Sequence, residues 1–125
     1  MSDSGGALPD LDPGRGLEVV VGEVKGILDL GAVPGSVRLI DCREEDEFAI
    51  CSLPGAELIP LSRFGETDFT DLVENGQPAV IYCHHGMRSA HAAAYPRSKG
   101  HGLAFSMAGG IERWSVEIDP EVVRY

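Results

Sequence analysis

The chain has 125 residues, with 10 Lys and Arg against 20 Asp and Glu; 43% are hydrophobic and 24% charged. That length fits one domain, and the composition excludes disordered, collagen-like and coiled-coil chains. No apolar run approaches the ~20 residues of a bilayer span, and a net charge of −10 repels nucleic acid and anionic membrane, so neither is expected as a partner.

Residues 1–16 are rich in Gly, Pro, Ser and Asp and lack periodicity, which predicts a loose arm ahead of a domain over 17–125. The opening MSDSGGALPDLDPG has neither a basic nor an apolar leader region, so a cytoplasmic location is expected. LEVVV at 17–21 predicts a strand, and Val24, Ile27, Leu28 and Leu30 have helical spacing ahead of Gly31. VRLID at 37–41 predicts the second strand, and Glu44 to Ile50 a helix with acids in its first turn. AELIP at 56–60 follows the Pro54-Gly55 break as a third strand, and 62–75 reads as short helical pieces. AVIY at 79–82 is the most apolar strand. A loop from Cys83 to Arg88 leads to a helix with Ser89 as its cap. Pro96 is expected to kink or end that helix near Tyr95. LAFSM at 103–107 is the last strand, and Gly109-Gly110 opens a short helix with Ile111 and Trp114. Strands alternating with helices predict an α/β fold: a central parallel sheet of about five strands flanked by helices on both faces. Met87, Tyr95, the alanines between them and Trp114 read as core.

Charge is unevenly spread. Residues 1–74 hold 16 acids and 5 bases, whereas 75–111 hold no acid yet contain Arg88, Arg97, Lys99 and all four histidines. An acid-free stretch in an acidic chain suggests a local anion site, or simply an apolar strand that needs no charge. Cys42, Cys51 and Cys83 make an odd count with no C-x-x-C pair, against a disulfide framework or a zinc ribbon. No metal and no cofactor are expected.

Ligands of open α/β sheets sit at the carboxyl ends of strands, and YCHHGMRS stands at such a place. Gly86 permits backbone angles closed to other residues. Successive amides over 84–89 can then converge on an anion, helped by the start of the next helix. A cysteine so placed has a lowered pKa and a nucleophilic sulfur. Cys83 is therefore the candidate nucleophile, with Arg88 beside it and His84, His85, Gly86, Met87 and Ser89 as substrate-contacting positions. A buried, inert strand-end cysteine is the plainer alternative. Cys42 is expected to pack in the sheet and Cys51 on the buried side of its helix. A resolving role for either is the sharper idea.

Cys83-His84-His85-Gly86-Met87-Arg88-Ser89 fits C-x-x-G-x-R-S, and with this loop the chain resembles a single-domain rhodanese, the sulfurtransferase domain. Three further blocks are similar in order: Asp41, Arg43, Glu47 and Phe48 in DCREEDEF, the turn and strand LPGAELIPL at 53–61, and GGIERW at 109–114. The resemblance covers about residues 17–125 and implies a persulfide cycle. Cys83 would take a sulfane sulfur from a small anionic donor such as thiosulfate and pass it to cyanide or a thiol. Arg88 would orient the donor or close the loop. Asp41, Arg43 and Glu47 would form an ion-pair network beneath the site, with Arg43 on Asp41 or Glu47. Related phosphatases use C-x5-R; the C-x4-R spacing here favours sulfur over phosphate or arsenate. The chain departs from the family at Ser52, where many members carry His, and at Tyr95-Pro96-Arg97-Ser98. Three function classes follow: an enzyme moving sulfur between small molecules, a persulfide carrier fed by and serving protein partners, and a non-catalytic binding module.

Overall fold

The computed structural model describes residues 11, 13–66, 77–100 and 102–125. Five strands make one all-parallel sheet in the order β1-β5-β4-β2-β3. They are β1 (Glu18–Val19), β2 (Arg38–Asp41), β3 (Glu57–Leu58), β4 (Ala79–Tyr82) and β5 (Ala104–Met107). Four α-helices occur among the described residues: α1 (Val21–Asp29), α2 (Glu45–Ile50), α3 (Met87–Ser98) and α4 (Gly110–Glu117). None is long and apolar enough to cross a membrane.

The strands read as continuous apolar runs because both faces of the sheet are covered. Side chains alternate between the faces. Leu39, Val80, Tyr82, Phe105 and Met107 meet Val24 and Ile27 of α1 and Ile111 and Trp114 of α4. Ile40, Cys42, Ala79, Ile81, Cys83 and Ala104 meet Ala92 and Ala93 of α3, together with Phe64. Phe64 belongs to a 3-10 segment, Leu61–Glu66, where the sequence predicts short helical pieces; residues 67–76 lie outside the described ones.

Several elements differ from the sequence reading. The first strand stops at Val19, because the Glu23 carboxylate accepts the Val20 amide at 3.0 Å and makes Val20 the cap of α1. Residues 13–16 are docked rather than loose: Arg15 donates to Glu23 at 2.7 Å, and Arg97 donates to the Gly16 carbonyl at 2.7 Å. Residues 1–10 and 12 of the expected arm lie outside the described ones. Helix α3 is capped by Gly86, not Ser89, since the Ala90 amide already bonds the Gly86 carbonyl at 3.1 Å. Pro96 does not end α3 at Tyr95; the helix runs on to Ser98. It sits in the final turn, where only the bond to Ala92 is forgone. There its carbonyl takes the Lys99 amide at 3.0 Å, and Ser98 Oγ donates to the Tyr95 carbonyl at 2.6 Å. Trp114 is core as expected, but Met87 is 77% exposed and Tyr95 is 40% exposed. The core-facing side of α3 carries Ser89, Ala92, Ala93 and Pro96 instead.

Candidate active site

The central strand β4 delivers Cys83 to the carboxyl edge of the sheet, buried on the α3 side. Gly86 then turns with φ +106°, and a Cβ there would meet the Gly109 amide at 3.1 Å. This turn aims two amides at the sulfur: Gly86 N–H donates to Cys83 Sγ at 3.1 Å, and Ser89 N–H at 3.3 Å. Ser89 Oγ stands 3.6 Å from Sγ and shares a 2.7 Å hydrogen bond with Ser106 Oγ of β5. The neighbouring Cys42 thiol first, then the Ser89 hydroxyl and the two amides, outweigh burial and pull the Cys83 thiol down to about 4, which favours a thiolate held in this cradle of donors.

Helix α4 closes the cradle from behind. Its amides at Ile111 and Glu112 donate to the carbonyls of Cys83 and His84 at 2.8 and 3.0 Å. Gly110 makes this approach possible, because a Cβ there would fall 2.6 Å from the Cys83 carbonyl oxygen. The GGIERW block thus fixes the floor of the loop.

Asp41 and Arg43 form a wholly buried ion pair, Nη2 to Oδ2 2.6 Å. Asp41 also accepts the Arg43 amide at 2.9 Å, and the guanidinium reaches the Cys51 carbonyl at 2.5 Å and the Tyr125 hydroxyl at 2.7 Å. Burial opposes the charge on Arg43, but the hydrogen bonds to Asp41 and Tyr125 override it and raise its pKa. Glu47 takes the other cation: Arg88 binds it in bidentate fashion at 2.7 and 2.8 Å. Arg88 first, with help from the Glu44 amide and Tyr125, holds the Glu47 carboxyl down at about 2. Of the two partners the sequence offers Arg43, it takes Asp41.

The expected substrate-contacting residues do not all face one point. Gly86 and Ser89 touch the sulfur through their amides, and Met87 stands exposed at the start of α3. The His84 ring is stacked between His85, at 4.0 Å, and Tyr125, at 3.9 Å, and its Nε2 has no hydrogen-bond partner among the described residues. Burial, then the charge of His85, lowers the His84 pKa. The cations of the acid-free stretch disperse. Arg88 goes to Glu47, Arg97 to the Ala104 carbonyl at 2.6 Å, and Lys99 over the Tyr95 ring. The anion site is thus built of amides, not of clustered charge. Ser52 is exposed, and His101 lies outside the described residues.

Sequence reasoning missed three participants. Tyr125 binds Glu47 at 2.9 Å from 78 positions away, which no local pattern signals. Ser106 could have been noticed as the polar residue in the apolar strand AFSM. Cys42 does pack in the sheet, but beside Cys83, which comparing the ends of LID and VIY would have suggested.

A family model described as "Rhodanese-like domain" matches residues 21–117. The chain belongs to the rhodanese-like domain family. The match takes in the Cys83 cradle, the Asp41–Arg43 pair and the α4 floor. Among relatives of this rhodanese-like chain, the thiosulfate sulfurtransferase GlpE of Pseudoalteromonas translucida is 33% identical over 88 residues, 70% of this chain and 82% of the relative. The probable adenylyltransferase/sulfurtransferase MoeZ of Mycobacterium tuberculosis is 32% identical over 111 residues, 89% of this chain. The rhodanese-like/PpiC domain-containing protein of Arabidopsis thaliana chloroplasts is 34% identical over 90 residues. This chain spans only 28% and 30% of those two longer relatives. The human single-domain sulfurtransferase TSTD1 superposes with a TM-score of 0.66 at 25% identity, covering 82% of this chain and 97% of that one. Several of these relatives carry sulfurtransferase names, and the five-stranded parallel sheet is the rhodanese-like fold they share with this chain.

Proposed function

We propose that the chain is a sulfurtransferase that carries sulfane sulfur as a persulfide on Cys83. The observation that carries this reading is the buried Cys83 sulfur, cradled by the Gly86 and Ser89 amides at 3.1 and 3.3 Å. The thiolate attacks the outer sulfur of thiosulfate, the S–S bond breaks, and sulfite leaves with the bonding pair. The new terminal sulfur is anionic and adds one atom to the group the amides already hold. Stabilising it there follows the logic of an oxyanion hole. Cyanide or a thiolate then attacks that outer sulfur and returns Cys83 as thiolate. The C-x4-R spacing supports sulfur over phosphate as the cargo.

A second reading has its own support. Arg88 is neutralised by Glu47, so the guanidinium of the loop is already committed when a small dianion arrives. A protein donor, docking by a basic patch on a surface of net charge −10, does not need one. In that case Cys83 is a persulfide carrier between protein partners in a cytoplasmic, reducing setting.

Intact mass after incubation with thiosulfate, for wild type and Cys83→Ala, tests both. A gain of one sulfur in wild type alone, lost on adding cyanide, is the expected result. No gain from thiosulfate, but a gain from a cysteine desulfurase, selects the protein-fed carrier. No gain from either sinks the sulfur-transfer reading.

A further inference from the structure

Cys42 stands beside the nucleophile, and the exchange chemistry above leaves it unused. The parallel register of β2 and β4 pairs Asp41 with Tyr82, and the Cys42 amide extends the ladder by donating to the Tyr82 carbonyl at 3.0 Å. One residue on, Cys42 lies opposite Cys83. Neighbouring strands are about 4.8 Å apart, inside the about 4.4–6.8 Å that the Cα atoms of a disulfide span. Both side chains point to the same face, within the cluster of Ile40, Ile81, Ala92 and Ala93. Both are buried, at 0% and 1% exposure, and both are free thiols. Cys51 packs against the cluster on the opposite face, so the sheet separates it from Cys83. With Cys42 fully buried, the one sulfur in place to react with it is that of Cys83.

Building on the persulfide reading, we propose that Cys42 is a resolving thiol that discharges a stranded Cys83 persulfide as hydrosulfide and closes a Cys42–Cys83 disulfide. The Cys42 sulfur bonds to Cys83 Sγ, and the bond from Sγ to the outer sulfur breaks. The outer sulfur keeps the bonding pair, takes the Cys42 proton and leaves as HS⁻. Two cysteine sulfurs are oxidised to a disulfide while the sulfane sulfur is reduced to sulfide, so no outside oxidant enters. A dithiol reductant then opens the disulfide at Cys83, the sulfur nearer the loop, and restores both thiols.

The resting site keeps this reaction in check. The Cys83 sulfur beside it, together with burial, holds the Cys42 thiol far above the ordinary range. Cys42 then keeps its proton and is not a nucleophile. Once Cys83 is persulfidated, the charge moves one atom outward toward the amides, and that restraint weakens. An acceptor at the mouth competes with Cys42 and wins when it is abundant. In its absence the sulfur leaves as sulfide and the nucleophile is stored as a disulfide.

The test is a single turnover. Wild type and Cys42→Ser are loaded with sulfur from thiosulfate, and in parallel from inorganic polysulfide, then freed of small molecules and kept without thiol. Intact mass and released sulfide are followed with time. Wild type should pass from the one-sulfur adduct to the reduced mass less two hydrogens, with one equivalent of sulfide and a peptide joining Cys42 to Cys83. Cys42→Ser should keep the adduct at least about tenfold longer, since thiol–disulfide exchange needs the attacking sulfur. Cys42→Ala serves the same comparison if the serine hydroxyl is not tolerated in the core. Equal persistence in wild type and variant overturns the proposal, as does sulfide release without the disulfide. If neither donor places sulfur on Cys83, the persulfide reading itself fails and takes this one with it.

Discussion

One face of the sheet presents Leu39, Val80, Tyr82, Phe105 and Met107 to α1 and α4; the other presents Ala79, Ile81, Cys83, Ala104 and Ser106 to α3. The first is filled by large side chains meeting large side chains, Ile27 and Trp114 among them. The second packs smaller side chains against α3, with Ser89, Ala92 and Ala93 as buried contacts of the helix and Ile40, Ile81 and Phe64 as its larger members. The difference follows from what each face does. A large-residue face removes the most apolar surface from water, which is where stability comes from. The small-residue face lets the backbone of α3 come close, and the groups that donate to the Cys83 sulfur there are backbone amides. Amides 3.1 and 3.3 Å from the Cys83 sulfur cannot be held in place by a helix that bulky side chains push away.

Breaking the charged joint beneath the site should have the largest effect on the fold. Asp41→Ala leaves Arg43 buried without its carboxylate, and removing one partner of a buried pair costs about 3–5 kcal/mol. Urea unfolding should show a loss of that order; a loss below about 1 kcal/mol would mean that the Tyr125 hydroxyl and the Cys51 carbonyl suffice for Arg43. The two faces themselves separate next. Ile27→Ala on the large face should cost about 2–5 kcal/mol, yet folded protein at low temperature should still load sulfur. Ala93→Leu on the small face should cost less, about 1–3 kcal/mol, and abolish loading by lifting α3 from the sheet. Equal loading by the two folded variants would erase the distinction.

These faces were legible in the sequence to different degrees. The large face follows from periodicity: Val24, Ile27, Ile111 and Trp114 repeat at helical spacing, and AVIY reads as a strand buried on both sides. Cys83, Gly86 and Arg88 were legible because the loop packs its chemistry into seven consecutive residues. The cap of α3 was misplaced by three residues because a serine hydroxyl is a common cap, while here it bonds across to Ser106 in β5. Arg88 was legible as a cation but not as one already spent, since Glu47 reaches it from 41 positions away. Tyr125 reaches Glu47 only through the return of the chain, which a one-dimensional pattern does not record, while the place of Cys42 beside Cys83 follows from strand register.

Smaller effects test the electrostatics of the cradle. The Cys83 thiol is pulled to about 4, below the ordinary thiol value, so its negative charge should be complete at neutral pH and disappear as pH falls through about 4. Ultraviolet absorbance of the thiolate follows this directly. Cys42→Ala removes the leading cause and should raise the midpoint most. Ser89→Ala should raise it by less than about one unit, the scale of one neutral hydrogen bond. An unchanged midpoint in both would put the whole shift on the amides.

The smallest change in stability should come from the rim, and it bears on which donor the site accepts. Glu47→Gln removes the carboxylate that engages Arg88 at 2.7 and 2.8 Å, a partly buried pair at the rim worth about 1 kcal/mol. Melting should barely move. Arg88 would then face the loop mouth with its charge uncommitted, and the rate of sulfur loading from thiosulfate should rise several-fold and become more sensitive to salt. A fall in loading at unchanged stability would carry the opposite lesson. The Glu47–Arg88 bridge would then be what holds the loop over the sulfur, and the protein would be built for a donor that brings its own recognition surface.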